Sequence, residues 1–327
     1  MKHFRTVIKA VISIGLLVYL IFLADPQKIL ATLNKIWSEG GLVYLAVGAV
    51  LFILSLLILS FRWQILITGY GVSVPLRSLF KFYLIGLFFN NFLPTGIGGD
   101  VLRIYNLVRV CGDRTISFAS VITERLLGIT STLILTIFSI LFLPDQFDNF
   151  YLLAIALGML SMVILFFLIA FSERLVKPIN AISARLTLLR LGERIEKFLN
   201  AIRFYADSKS IYIKILVTSL ISQILIITKT YLLARALGIE VAYAYMFLVV
   251  PISFILVMLP SINGIGFRDG VYVVLLSAVG VSKAEALSLS FLALVIPMII
   301  STAGAVLFLA QKKTTRQEEV KIVEENI

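Results

Sequence analysis

Two short stretches in an apolar chain hold most of the residues able to act on a polar ligand. The first is Leu93-Pro94-Thr95-Gly96-Ile97-Gly98-Gly99-Asp100, with Asn90 and Asn91 before it and Arg103 after it. The second is Leu259-Pro260-Ser261-Ile262-Asn263-Gly264-Ile265-Gly266-Phe267-Arg268-Asp269. Each reads Leu-Pro-hydroxyl, then Gly-Ile-Gly, then charge. Pro and Gly disfavour helix, so each stretch opens the backbone. Exposed N–H groups at a helix start attract anions, and an arginine one turn in can bond a phosphate. Arg103 is the first expected phosphate ligand and Arg268 the second. Asp100 sits where a cap belongs for a helix from Val101 onward. Asn90 and Asn91 either satisfy freed carbonyls or line a polar cavity. Ser261, Asn263, Gly264, Gly266, Arg268 and Asp269 repeat the logic of Thr95, Gly96, Gly98, Gly99, Asp100 and Arg103. The plainer alternative is that the glycines only let helices pack closely and Asp100 only caps.

Glu124 and Arg125 lie inside the apolar span Ile116 to Leu143. Charge at membrane depth costs roughly 2.5–3.5 kcal/mol for Asp, Lys or Arg on insertion scales, so such groups face a cavity or a partner. Neighbours on a helix point about 100° apart and need separate partners. Asp100, Arg103, Arg268 and Asp269 are available. The four could form a structural ion-pair network with Glu124 and Arg125. Alternatively, Arg125 holds a lipid phosphate and Glu124 accepts a proton or an amine. Lys229 lies late in its span and is expected to snorkel outward. Trp37 and Trp63 suit the interfacial belts.

The elements that must position these groups follow from composition. The 327 residues are 60% hydrophobic with mean hydropathy +1.04, against roughly 45–50% apolar in a soluble domain. The chain therefore reads as an integral membrane protein. Cys111 and His3 are the only cysteine and histidine. That excludes an internal disulfide, a His/Cys zinc site and a Ser-His or Cys-His nucleophile pair. No Gly-Lys-Ser/Thr follows the glycines, so nucleotide hydrolysis is not expected. No metal, cofactor or catalytic residue is assigned. The net charge of +11 sits in loops beside apolar spans, where insertion topology and anionic headgroups favour it. Nucleic acid is not an expected partner.

Basic flanks set the sides. Lys2, Arg5 and Lys9 place the amino terminus in the cytoplasm. Val7 to Leu23 then reads as an uncleaved span, since no Ala-x-Ala cleavage pattern follows it. Leu42 to Phe61 returns, and Arg62, Arg77 and Lys81 mark the cytoplasm. Phe82 to Leu93 is about 12 residues, too short for the roughly 20 a crossing needs. With Val101 to Val110 it reads as a re-entrant hairpin from the cytoplasmic side. Ile116 to Leu143 and Tyr151 to Phe171 cross again. Residues 173–209 are basic and amphipathic, fitting a helix pair on anionic inner-leaflet headgroups. Ile215 to Leu233 and Leu287 to Leu309 also cross. Tyr243 to Leu259 with Val271 to Val279 would then open to the outside.

The expected fold is an all-α polytopic membrane protein of about six spanning helices. Two broken re-entrant hairpins, 82–110 and 243–279, are related as an inverted repeat, the arrangement of transporter-type sites near the midplane. One membrane domain covers 1–327, in halves 1–171 and 211–310, with a cytoplasmic tail from 311 to 327.

The string from Asn90 to Arg103 resembles the lysylphosphatidylglycerol synthase transmembrane-region family, also called flippase-like. This family is known from the membrane half of the multiple peptide resistance factor. Glu124-Arg125-Leu126 and Pro260 to Gly270 look like its further marks. The resemblance implies a prokaryotic cytoplasmic-membrane protein that moves, or helps process, a polar-headed lipid of phospholipid or polyprenyl-phosphate type. The full synthase carries a soluble aminoacyl-transferase domain after its membrane part. This chain ends at Ile327, so lysyl transfer is not expected. Two rival readings stay open. One is a membrane-embedded lipid-modifying enzyme using Asp or Glu. The other is a non-transporting accessory subunit, in a homo-oligomer or with a lipid-synthesis partner.

Overall fold

The computed structural model describes residues 18–23, 25–37, 40–92, 98–142, 154, 157–165, 168, 209–257 and 264–325. Nearly all of these are helical, and there is no strand among them. Helix α1 is Pro26–Asn34, started by Pro26 and by Asp25, whose carboxylate accepts from the Gln27 N–H at 3.1 Å. The remaining helices are α2 Gly41–Gly69, α3 Leu76–Phe92, α4 Gly98–Cys111, α5 Arg114–Phe142, α6 Lys209–Ala236, α7 Tyr243–Leu256, α8 Phe267–Ser277 and α9 Lys283–Glu325.

Uninterrupted apolar runs make the long helices. Gly41–Gly69, Arg114–Leu141, Ile213–Ala236 and Lys283–Gln311 are each long and apolar enough to cross a membrane. The chain is an all-α, multi-pass membrane protein. Of the other two expected spans, Val7 to Leu23 falls mostly outside the described residues and Tyr151 to Phe171 is described only in part; the amphipathic segment 173–209 falls almost wholly outside them.

Besides the nine-residue α1, four helices are short. α3 has 17 residues, α4 has 14, α7 has 14 and α8 has 11. At 1.5 Å per residue none reaches the roughly 30 Å of a hydrocarbon core. α3 is longer than the apolar piece Phe82 to Leu93, because Leu76 to Lys81 continues the same helix despite Arg77 and Lys81.

The short helices pair antiparallel across their breaks. α3 and α4 touch backbone to backbone: a Cβ on Gly99 would run into the Gly86 carbonyl. At the open end of α7–α8 the Tyr245 hydroxyl donates to the Leu275 carbonyl at 2.9 Å. Both pairs lie along α9, in opposite senses. Near the first break Asn91 donates to Ser301, and at the open end of that pair Gln311 donates to Asn106. Just past the second break Arg268 donates to Ser290, while α8 ends beside the start of α9 at Lys283. Ser290 and Ser301 stand about 16 Å apart along α9 at the helical rise. The two breaks therefore approach one another from opposite ends of one helix. At Gly304, α9 meets the Leu84 backbone with no room for a Cβ.

α2 and α6 form an antiparallel scaffold beside these pairs. Gly41 faces Ala236 at one end, and Gln64 and Thr68 share a groove with Lys214 and Thr218 at the other. Ile227, Leu233, Met246, Val249, Leu276 and Leu287 build the larger apolar core between α6, α7, α8 and α9. Trp63, Ile67, Leu79, Leu107 and Val121 build a smaller one around α3 and α4.

Candidate functional site

Glu124 organises the first half. Its carboxylate, 1% exposed, collects donors from three other helices. Arg62 Nη2 lies 2.5 Å from Oε1 and the Tyr83 hydroxyl 2.6 Å from the same oxygen. Arg103 Nη2 takes Oε2. Arg62 also donates through Nη1 to Ser219 on α6 at 2.7 Å. The Arg103 guanidinium lies between two rings, 4.2 Å from the Trp63 centroid and 4.0 Å from that of Tyr83. Trp63 is fixed in turn by Nε1 donating to Ser120 at 3.1 Å.

Asp100 continues the network. It holds Arg125 Nη1 at 2.5 Å and Arg103 Nη1 at 3.5 Å. Arg125, with 35% of its side chain exposed, is the open edge of the cluster. Glu124 and Arg125 thus take different partners, as their 100° separation on a helix requires. Asp100 and Arg103 reach the same centre because three residues apart share a helix face.

Several sequence expectations change here. Asp100 does not cap a helix from Val101, because α4 already begins at Gly98 and Asp100 lies in its first turn. Asn90 does the capping, accepting from the Gly99 N–H at 2.8 Å. One N–H expected to face an anion is therefore occupied by Asn90. Arg62 is no cytoplasmic loop marker: α2 runs on to Gly69 and buries it at 4% exposure. Trp63 is wholly buried, not interfacial. Lys229 does not snorkel. It is 3% exposed, with its stem against Gly48 and its ammonium 5.4 Å from the Phe52 ring centroid. Arg62, Tyr83 and Ser219 had not been singled out as site residues. For Arg62 the one signal is register: in α2 the small residues Gly48 and Ser55 recur with Arg62 every seven residues on one buried face.

The second half carries a smaller cluster. Asp269 Oδ1 accepts from Arg268 Nη2 at 2.6 Å and from the Ser290 hydroxyl at 2.5 Å. Its Oδ2 accepts from the Gly266 N–H at 2.8 Å. Gly264 and Gly266 have φ of +74° and +87°, a backbone that β-carbon residues rarely adopt, and this turn aims Asp269 back at its own helix start. Arg268 is thus an ion-pair partner of Asp269. Thr95, Gly96, Ser261 and Asn263 lie outside the described residues.

The two clusters do not merge. Ser219, bonded to Arg62, and Lys229, beside Arg268, are about 15 Å apart along α6. Hydroxyls and amides bridge the interval: Gln223 on α6 donates to Thr132 on α5 at 2.8 Å. No group of three or more His, Cys, Asp or Glu suited to a metal occurs among the described residues. In the first cluster three guanidinium groups share two carboxylates. The Nε–H groups of Arg62 and Arg103 meet no acceptor among the described residues.

Known proteins similar to this chain are membrane proteins. A UPF0104 membrane protein of Pyrococcus horikoshii is 26% identical over 328 residues, covering 93% of this chain and 96% of its own. Another, from Methanothermobacter thermautotrophicus, is 27% identical and covers 92% of each. A third, from Methanocaldococcus jannaschii, is 27% identical over 79% of this chain and 82% of its own. Residues 6–305 match the family described as the lysylphosphatidylglycerol synthase TM region. With most of its length covered by that match, from before the first expected span to the last described one, the chain belongs to the lysylphosphatidylglycerol synthase transmembrane-region family.

Proposed function

We propose that this protein takes a polar, phosphate-bearing lipid headgroup into its interior and passes it between leaflets. The observation that carries this reading is the donor surplus around Glu124. A buried donor without an acceptor costs about 1–3 kcal/mol. An anionic headgroup oxygen entering beside Arg62 and Arg103 would recover that cost. Arg125, at the open edge beside Asp100, is the entry contact. Glu124 serves here as the anchor of the arginines rather than as a proton or amine acceptor, because both its oxygens are engaged.

The short α3–α4 and α7–α8 pairs fit re-entrant hairpins from opposite membrane faces, the first cytoplasmic and the second external. Their opposite senses along α9 support this. Thr95, Gly96, Ser261 and Asn263 then belong to the two tips, nearest the headgroup. Acyl or prenyl chains stay in lipid, and rocking of one hairpin unit against the other moves the headgroup. The setting is the cytoplasmic membrane of a prokaryote, with both termini inside and the whole chain acting as one membrane domain. Residues 173–209 would rest on anionic inner-leaflet lipid. Full engagement of Glu124 favours a second reading, a non-transporting accessory subunit whose charges only hold helices together.

Dithionite quenching of fluorescent phosphatidylglycerol in proteoliposomes separates the two. Wild type should move the lipid, and Arg125→Gln should slow it by about tenfold or more, the loss of one charge-assisted contact. Lys28→Ala, on the exposed surface of α1, should match wild type. No movement by wild type favours the accessory reading, and equal rates for Arg125→Gln remove this entry contact.

A further inference from the structure

The Glu124 cluster leaves one buried cation unexplained, and it lies on the other side of the scaffold. Lys229 projects from α6 among Gly48 and Phe52 of α2, and the charge it feels there is another cation, Arg268. Among the described residues its ammonium makes no ion pair and no hydrogen bond. Asp269 is no substitute partner. Its Oδ1 is shared by Arg268 and Ser290, and its Oδ2 is taken by the Gly266 N–H. Asp269 is thus fully engaged, while Lys229 and Arg268 are both buried. Thr230, the next residue of α6, is buried as well.

A lone ammonium inside a membrane bundle is costly to bury, by several kcal/mol even after relaxation. Intramembrane ionisable groups face a partner or a pathway. We infer that Lys229 and Arg268 form a second anion-binding station, specific for the phosphate of a lipid headgroup. The inference rests on the lipid-handling reading and extends it. The station lies about 15 Å along α6 from the level of Arg62, beyond the second break. The protein would then hold one phosphate position per hairpin, and a headgroup would move between them past Gln223 and Thr132.

The test uses the full-length protein in dodecylmaltoside micelles with 0.5 M NaCl to screen surface lysines and arginines. Thermal unfolding is followed against added dioleoylphosphatidylglycerol, with dioleoylglycerol as the phosphate-free lipid and inorganic phosphate as the lipid-free anion. Wild type should be stabilised by phosphatidylglycerol and not by dioleoylglycerol. Lys229→Gln and Lys229→Met should need about tenfold more phosphatidylglycerol for the same shift, whereas Lys229→Arg should keep the wild-type response. Phe52→Glu, which sets a carboxylate opposite the ammonium, should raise the lipid-free midpoint and weaken the lipid response as Lys229→Met does. Stabilisation by inorganic phosphate alone would identify a soluble anion and overturn the lipid assignment. A wild-type response retained in Lys229→Met or Phe52→Glu overturns the station and leaves the Arg125 entry standing. Absence of any phosphatidylglycerol response in wild type overturns both.

Discussion

Arg62 and Glu124 meet at 2.5 Å although 62 residues separate them in the chain. The pair ties α2 to α5, and through Ser219 the same guanidinium ties in α6. Arg103 and Tyr83 add α4 and α3. Five helices thus join one network, four of them at the carboxylate itself.

Glu124→Gln is therefore expected to be strongly destabilising. It leaves Arg62 and Arg103 buried against a neutral amide, and breaking a buried pair costs about 3–5 kcal/mol. Thermal unfolding in detergent should show a clear fall in midpoint. Glu124→Asp should fall less, since the charge remains. An unchanged midpoint for Glu124→Gln would contradict the buried network.

The α3–α4 crossing makes a graded prediction. Gly99→Ala puts a methyl into the Gly86 carbonyl, and backbone cannot step aside. Gly86→Ala meets Arg103 Cγ at 2.8 Å, a side chain able to shift, but also the Gly99 carbonyl at 3.1 Å. Gly128→Ala meets only Arg62 Nη1 and Nη2, at 3.6 and 3.7 Å, which is ordinary contact. Yield of monodisperse protein should fall in the order Gly128→Ala, Gly86→Ala, Gly99→Ala. The reverse order would rule out the close crossing.

Asn90 has a capping role open to measurement. Asn90→Ala removes the acceptor for the Gly99 N–H and should cost about 1 kcal/mol, as cap deletions do. Asn90→Asp keeps an acceptor at that position and should recover most of the loss. If both variants unfold alike, the amide acts elsewhere.

Cys111 reports the sidedness of the first pair. It is the chain's single cysteine and ends α4 at the open end of α3–α4. In inside-out vesicles an impermeant maleimide should label it, and in right-side-out cells it should not. In a Cys111→Ser background, Ser282→Cys, next to the start of α9, should show the opposite pattern. Labelling of both from one side would exclude hairpins of opposite sense.

The short helices and the need of Glu124 and Arg125 for separate partners were legible in the sequence, because Pro, Gly and isolated charge act locally. Arg62 and Lys229 were misread for one shared reason. A basic residue near the end of an apolar run looks like a flank, since hydropathy sees composition and not rotation about the helix axis. Whether such a residue snorkels or turns inward depends on which neighbour helix covers it. Gly48 opens the space that Lys229 fills, yet the two are far apart in sequence. Trp63 follows the same rule: aromatic belts are a statistical tendency, whereas Ser120 and Arg103 supply its particular partners.

Gly304 on α9 meets bare Leu84 backbone. Helices normally resist rolling because side-chain ridges lock into facing grooves. Here the contact lacks a ridge, so α3 can tilt over that point with few rotamers to rearrange. In the proposed transport cycle this spot would be the fulcrum over which the leading hairpin swings while α9 stays put. A bulkier residue at position 304 would act as a wedge, jamming the motion well away from any charged group.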